Sequence, residues 1–248
     1  YLGREGFLLN ELGEVFKEIK QCKYIKLTSI YAHFANIEDV SNFTHAQKQI
    51  EEYKRALELA KTFGFKNLQT HISATSGILV YEKGTGINSI VRLGIGVYGM
   101  WPSKHLRSLY KNSKFTLKPV LLWKTKVAQV KTLPKGFSIG YGLTYITKKE
   151  TKIAVIPQGY ADGFDRGFSN KGEVLIQGTR CKILGRVSMN MFTVDVSHLQ
   201  NIKTGDEVVI IGTQGREQIT AEEMADKLDT INYEVTTRIS SLLPKVII

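Results

Sequence analysis

Apolar residues recur at steps of three and four through the first part of the chain and alternate in short runs through the second. Leu8, Leu12, Val15, Phe16 and Ile19 predict a helix over 8–22. Residues 24–35 are rich in β-branched and aromatic side chains and predict a strand ending on His33-Phe34-Ala35. Phe43, Ala46, Ile50, Tyr53, Leu57 and Ala60 predict a long amphipathic helix that Gly64 stops. A short strand is predicted over 67–72, ending near His71, and Thr75-Ser76-Gly77 opens a short helix. Residues 89–97 predict a strand carrying Arg92, closed by Gly99 and Pro102. Alternation of strand and helix points to parallel βα units. Barrels of such units carry their chemistry at the carboxyl ends of the strands. His33, His71 and Arg92 fall at or near such ends.

The pattern changes near Pro119. From there the predicted strands are short and separated by glycine turns, over 120–132, 152–157, 173–177, 182–186, 192–196 and 207–211. One helix interrupts them, with Thr220 and Glu223 spaced as a capping box for Ala221–Leu228. The second part is therefore expected to be a mainly antiparallel β domain.

Composition narrows the function. The 248 residues are 42% hydrophobic and 23% charged, which suits a globular protein. Two cysteines, Cys22 and Cys181, cannot make a disulfide framework, so a reducing cytoplasm is expected. No apolar run is long enough to cross a bilayer, and no charged-then-apolar leader opens the chain, which begins on Tyr1. The net charge of +11 raises the possibility of nucleic acid, a membrane surface or an anionic small molecule. The basic residues are scattered, with only short pairs such as Lys148-Lys149, so no nucleic-acid or membrane partner is expected. A phosphorylated ligand fits better. No metal site is expected.

The stretch Ser138-Ile139-Gly140-Tyr141-Gly142-Leu143-Thr144-Tyr145 sets a tyrosine between two glycines. Such a phenol serves equally as part of a turn or as a proton-transfer group whose ordinary pKa near 10 must be lowered by neighbours.

Several segments together resemble the bacterial alanine racemases, enzymes built from a barrel and a β domain around pyridoxal phosphate. In the second part these are Gly140–Tyr145, Ile156-Pro157-Gln158-Gly159-Tyr160-Ala161-Asp162-Gly163, Gly185-Arg186-Val187-Ser188-Met189-Asn190-Met191, Gly205-Asp206-Glu207-Val208 and Thr230-Ile231-Asn232-Tyr233-Glu234-Val235. In the first part they are Tyr31-Ala32-His33-Phe34-Ala35 and the run from Val91 to Gly99. Order and spacing agree over nearly the whole chain. The resemblance implies an α/β partial TIM-type (β/α)8 barrel over 1–116 and a strand-rich C-terminal domain over 117–248. It departs in two respects. The family's Schiff-base lysine lies on an early barrel strand in a segment like Lys-Ala-Asn-Ala-Tyr-Gly, and no such segment occurs here. The opening Gly3-Arg4-Glu5-Gly6-Phe7 resembles a motif that follows that lysine, so the chain is expected to lack the first four or five barrel strands and, alone, to be inactive. The family also often has Met-Asp at Met189-Asn190 and His-x-x-Asn-Ser at 71–75.

The resemblance assigns roles. Tyr141 is one of two bases for racemising alanine, with the missing lysine as the other, and His33 and Arg92 form the chain that tunes it. His33 reads otherwise as a satisfied core histidine, and Arg92 as a salt-bridge partner below the barrel rim. Arg92 would face the cofactor's pyridine nitrogen. Thr75, Ser76, Gly94, Ile95 and Tyr233 would hold the phosphate, with Thr75-Ser76 also readable as a plain helix cap. Arg4 and the N–H of Met189 would bind the substrate carboxylate, and Tyr160 would narrow the entrance. Tyr141, Tyr160 and Met189 would serve the other subunit of a homodimer. The product would be D-alanine for peptidoglycan. A racemase for serine or a broader set of amino acids, and a non-catalytic relative that binds pyridoxal phosphate, are the alternatives.

Overall fold

The computed structural model describes residues 2–38, 42–81 and 86–248. The chain forms two compact units, Tyr1–Pro119 and Val120–Ile248.

In the first unit, helix α1 (Leu12–Gln21) is followed by strand β1 (Ser29–Tyr31), helix α2 (Thr44–Thr62), strand β2 (Gln69–His71), helix α3 (Thr75–Tyr81), a 3-10 turn at Ile95–Tyr98 and helix α4 (Lys104–Leu109). β1 and β2 are parallel, with Ile30 opposite Thr70 and Tyr31 opposite His71. α2 buries Ala46, Ile50, Tyr53, Ala56 and Ala60, the stripe its periodicity predicts. Ala46, Ile50 and Tyr53 pack with Phe34, Ile37 and Ile72.

Three elements are shorter than their sequence pattern predicts. α1 begins at Leu12 because Leu8 sits in a turn whose N–H is taken by Glu11 Oε2 at 2.6 Å, leaving Phe7 and Leu8 exposed. The predicted strand over 24–35 pairs only at Ser29–Tyr31, where β2 lies opposite; β-rich composition makes no strand without a partner. Residues 89–97 are not a strand. Arg92 forms a single parallel bridge with Ala74, and the chain then turns at Gly94. Two parallel strands and their helices form βα units, but these elements do not trace a barrel.

The second unit is an eight-stranded antiparallel sheet. Its strands are β3 (Trp123–Lys126), β4 (Gln129–Leu133), β7 (Thr151–Ile156), β8 (Glu173–Ile176), β9 (Thr179–Leu184), β10 (Phe192–Asp195), β11 (Glu207–Gln214) and β12 (Glu217–Ile219), in spatial order β12-β11-β8-β9-β10-β7-β4, with β3 also on β11. Short strands β5 (Ser138–Ile139) and β6 (Tyr145–Ile146) form a separate hairpin. Helices α5 (Ala221–Leu228) and α6 (Asn232–Thr237) close the chain. Thr220 caps α5 by accepting the Glu223 N–H at 3.1 Å. The Glu223 carboxylate is drawn instead to Arg180. The core centres on Phe164, which stacks on Phe192 at 4.5 Å and Phe168 at 4.9 Å and meets the edge of Trp123. Cys181 is buried in β9, and burial, with the charge of Asp195, pushes its thiol up to about 12, too high for a nucleophile.

Arg180 gathers Glu173, Glu217 and Glu223 at 3.3, 2.8 and 2.6 Å, and Lys227 joins Glu173 and Glu223 at 2.8 and 3.1 Å. The cluster ties β8, β9 and β12 to α5. Burial alone would raise the Glu173 and Glu223 carboxyls, but bonds from Lys227 and Arg180 outweigh it and hold both below the usual range. A depressed carboxyl contributes stability that is complete above its unfolded-chain pKa and is lost as pH falls through its folded value. Arg180→Ala leaves three carboxylates with Lys227 as the one cation among them, and Glu217 without its ion pair. It is expected to lower stability by about 2 kcal/mol or more in urea unfolding at neutral pH. The difference from the parent should shrink below pH ~4, where the carboxyls protonate. A loss within about 0.5 kcal/mol, the range of an ordinary surface substitution, would contradict this account.

Candidate active site

In the first unit the carboxyl ends of β1 and β2 converge on one guanidinium. Arg92 Nη2 donates to the Ala32 carbonyl at 2.7 Å and the Ile72 carbonyl at 3.3 Å, and Nη1 to the His71 carbonyl at 3.1 Å. Nη1 also meets His71 Nδ1, and Nη2 lies 3.1 Å from His33 Nδ1. A guanidinium only donates, so both Nδ1 atoms accept, and each neutral imidazole carries its proton on Nε2. Burial lowers the pKa of both histidines, and the Arg92 charge lowers it further; at His33 the charge of Arg4 adds to this. Tyr31 stacks on His71, ring centroids 5.2 Å apart, and Arg92 Cζ lies 5.4 Å from the centre of the Tyr31 ring. Nε–H of Arg92 has no hydrogen-bond partner among the described residues, which leaves one donor for a ligand nitrogen or oxygen.

Beside this cluster is a cradle of donors. The Thr75 hydroxyl, at the start of α3, accepts from Gly94 N–H at 3.1 Å and Gly96 N–H at 3.3 Å. A side chain at Gly96 would collide with Thr75, its Cβ 2.8 Å from Cγ2. In this structure the Thr75 oxygen is the acceptor of both amides, so a phosphate seated at the head of this turn would share them with the hydroxyl. Ser76 is turned elsewhere: its hydroxyl donates to Glu38 Oε1 at 3.0 Å. Thr75 is therefore the hydroxyl placed at the amides, and Ser76 is not. Arg4 is exposed.

The second unit presents Tyr141, Tyr160 and Met189 on neighbouring turns. Tyr141 is 73% exposed, in a turn where Gly140 has φ 78° and Gly142 φ 70°. A Cβ on Gly140 would sit 2.7 Å from the Arg186 nitrogen, so only glycine lets the turn lie on the 185–191 segment. That segment also holds Tyr160: Tyr160 N–H donates to the Ser188 carbonyl at 3.1 Å and Ala161 N–H to the Met189 carbonyl at 3.0 Å. Asp162 ties its own turn, accepting Gly159 N–H at 2.9 Å. The same turn meets the end of α6, which carries Tyr233: Ser240 N–H donates to the Asp162 carbonyl at 3.0 Å, and Asp165 pairs with Arg238.

His71, noted in the sequence for its strand-end position and as the histidine of the 71–75 segment, is as much a partner of Arg92 as His33. Gly96 shares the cradle with Gly94. The signal for both was the spacing from residues already singled out. Among the described residues, no His, Cys, Asp and Glu side chains group to hold a metal, and no helix is long and apolar enough to cross a membrane.

A βα unit with an anion cradle beside a guanidinium–imidazole cluster, followed by an antiparallel β domain that displays tyrosines, defines a two-unit α/β-plus-β class. Comparison with known proteins is more specific. The model of the alanine racemase N-terminal domain matches residues 2–102, and that of the alanine racemase C-terminal domain matches residues 120–247. The chain belongs to the alanine racemase family. It is 38% identical over 250 residues to an alanine racemase of Leptospira interrogans, covering 100% of this chain and 64% of that protein. The crystal structure of alanine racemase from Bacillus anthracis with bound L-Ala-P superposes with a TM-score of 0.88 at 36% identity, over 97% of this chain and 60% of that one. The alanine racemase of Bartonella henselae with covalently bound pyridoxal phosphate superposes with a TM-score of 0.82 at 28% identity, over 97% of this chain and 62% of that one. The chain thus spans a little under two thirds of the length of these relatives.

The geometry separates Thr75 from Ser76. If the Thr75 turn receives the phosphate of a ligand, then in the protein carrying this chain Thr75→Val should weaken the binding of that ligand, with pyridoxal phosphate as the probe in a fluorescence titration, by about tenfold, the worth of one hydrogen bond to a charged group. Ser76→Ala should weaken it less. The reverse order would contradict the assignment.

Proposed function

We propose that the protein carrying this chain interconverts L-alanine and D-alanine with pyridoxal 5'-phosphate and supplies D-alanine for peptidoglycan in a bacterial cytoplasm. The observation that carries this reading is Arg92, fixed between two neutral imidazoles beside the Thr75 cradle, in a chain of the alanine racemase family. Residues 1–116 are then the C-terminal part of a (β/α)8 barrel, as the family resemblance implies, and residues 117–248 form the β domain.

The residues present fit the cofactor. Thr75, Gly94 and Ile95, with Tyr233, would hold its phosphate. The Arg92 Nε–H would face its pyridine nitrogen. When bound, the cofactor withdraws electrons from the α-carbon of the amino acid. The chain's own residues do the rest. Arg4 and the Met189 N–H orient the substrate carboxylate. Arg92 does not readily give up its proton, so the ring nitrogen stays mostly unprotonated and side reactions such as transamination are suppressed. Tyr141 removes or returns the α-proton on one face, and the His33–Arg92 chain of the site it serves tunes its phenol. The base of the other face is the lysine of a Lys-Ala-Asn-Ala-Tyr-Gly-like segment, absent from these 248 residues. Tyr160 narrows the entrance. Tyr141, Tyr160 and Met189 act on the cofactor held by the other subunit of a homodimer.

The protein carrying this chain, loaded with pyridoxal phosphate, is expected to erase the circular dichroism of L-alanine, with kcat/KM for alanine above that for serine or lysine. A higher kcat/KM for serine or lysine would replace the substrate, and no turnover of any amino acid would favour a non-catalytic relative. Residues 1–248 alone should not racemise. Tyr141→Phe should slow α-hydrogen exchange with solvent from one enantiomer far more than from the other. Exchange at the parent rate from both would remove Tyr141 as a base.

A further inference from the structure

The strand ends that hold Arg92 are themselves held by two polar side chains of α2. Gln49 and Tyr53 lie one helical turn apart on its buried face, 3% and 4% exposed. Gln49 Oε1 accepts the Ala35 N–H at 2.8 Å, and its Nε2 donates to the His33 carbonyl at 2.9 Å. The Tyr53 hydroxyl accepts the His71 N–H at 2.9 Å and donates to the Ile30 carbonyl at 2.7 Å. With Ile30 opposite Thr70 in a parallel ladder, the His71 N–H and the Ile30 carbonyl are neighbours across the strands. The phenol hydroxyl therefore bridges the ladder at the step where His71 turns to Arg92. On the other side of β2, Asn88 Oδ1 accepts the Ile72 N–H at 2.8 Å.

Tyr53 sits among Phe34, Ile37, Ala46, Ile50 and Ile72, and Gln49 is buried one turn away. In such surroundings a polar group is costly unless fully bonded, and an apolar residue of the same shape would fill the space at less cost. The four bonds all go to backbone flanking His33 and His71, and none goes to another side chain. Their effect is on the spacing and direction of the strand ends.

We propose that Gln49 and Tyr53 are positioning residues for the active site, setting the gap between the ends of β1 and β2 so that one guanidinium reaches the Ala32 and Ile72 carbonyls and both imidazoles at once. Its bearing on catalysis rests on the racemase reading; its bearing on the Arg92 cluster does not. Without the Tyr53 hydroxyl, the Ile30–His71 step of the ladder loses its tie to α2 and the end of β2 is free to shift. Arg92 then withdraws from His71.

The test is an NMR titration of the His33 and His71 ring protons in the protein carrying this chain. In Tyr53→Phe the His71 midpoint should rise by on the order of one unit, as the neighbouring charge recedes. Tyr110→Phe is the control: it removes a phenol bond to the Leu79 carbonyl in the same unit and should leave the His71 midpoint in place. A His71 midpoint that moves no further in Tyr53→Phe than in Tyr110→Phe overturns the proposal. Should Tyr53→Phe fail to fold, Gln49→Met read at His33 replaces it, with the same two outcomes. In the folded variant, kcat for alanine should fall roughly tenfold or more with KM unchanged, because the reacting groups are misplaced and substrate contacts are not. An unchanged kcat removes the catalytic part of the proposal. A His71 shift in a protein without racemase activity upholds the clamp and contradicts the function.

Discussion

A cation placed at the end of two strands has to be surrounded by acceptors, and the first unit is arranged to meet that demand. Arg92 finds three backbone carbonyls and two imidazole nitrogens. The Ala32 and Ile72 carbonyls lie just past the last paired residues of β1 and β2, while the His71 carbonyl also accepts the Ala32 N–H at 3.2 Å, so the shortness of those strands is part of the site. In return the guanidinium fixes both histidines as neutral acceptors at Nδ1. The segment that brings Arg92 to this place continues into the Gly94–Gly96 turn, and the Thr75 hydroxyl locks that turn to α3. One ionic constraint thus orders the tautomers, the strand ends and the cradle together.

The second unit follows a different logic. Its site residues are on turns, and each turn is pinned by backbone bonds or by the absence of a Cβ. The aromatic stack around Phe164 lies just beyond Tyr160 in the chain and anchors that turn from below. The 185–191 segment supports both the Tyr141 turn and the Tyr160 turn, so their spacing is set by rigid sheet ends. The exposure of Tyr141, Tyr160 and Met189, at 73%, 44% and 54%, suits groups that act on something outside their own unit.

Much of this was legible in the residues. The apolar stripe of α2, the Thr220 cap and the β-rich second unit follow from periodicity and local hydrogen bonding, and those forces act within a few residues. The strand expected over 89–97 is reduced to one bridge, because the segment bonds to the chain around β2 only through Ser89, Ile90 and Arg92 and then turns at Gly94; pairing depends on distant chain. Ser76 and Thr75 look alike in sequence, and only the position of Glu38 tells them apart. Gln49 and Tyr53 were hidden in another way. Tyr53 fits the helix stripe so well that its hydroxyl drew no notice, and Gln49 sits beside the stripe as an ordinary polar residue.

The most direct measurement is the histidine titration of Arg92→Met in the protein carrying this chain. If the guanidinium organises the site, its loss lifts the His33 and His71 midpoints together toward the ordinary histidine range near 6.5. If both midpoints stay where they are in the parent, burial alone holds the imidazoles neutral, Arg92 does not organise them, and the account of the site fails.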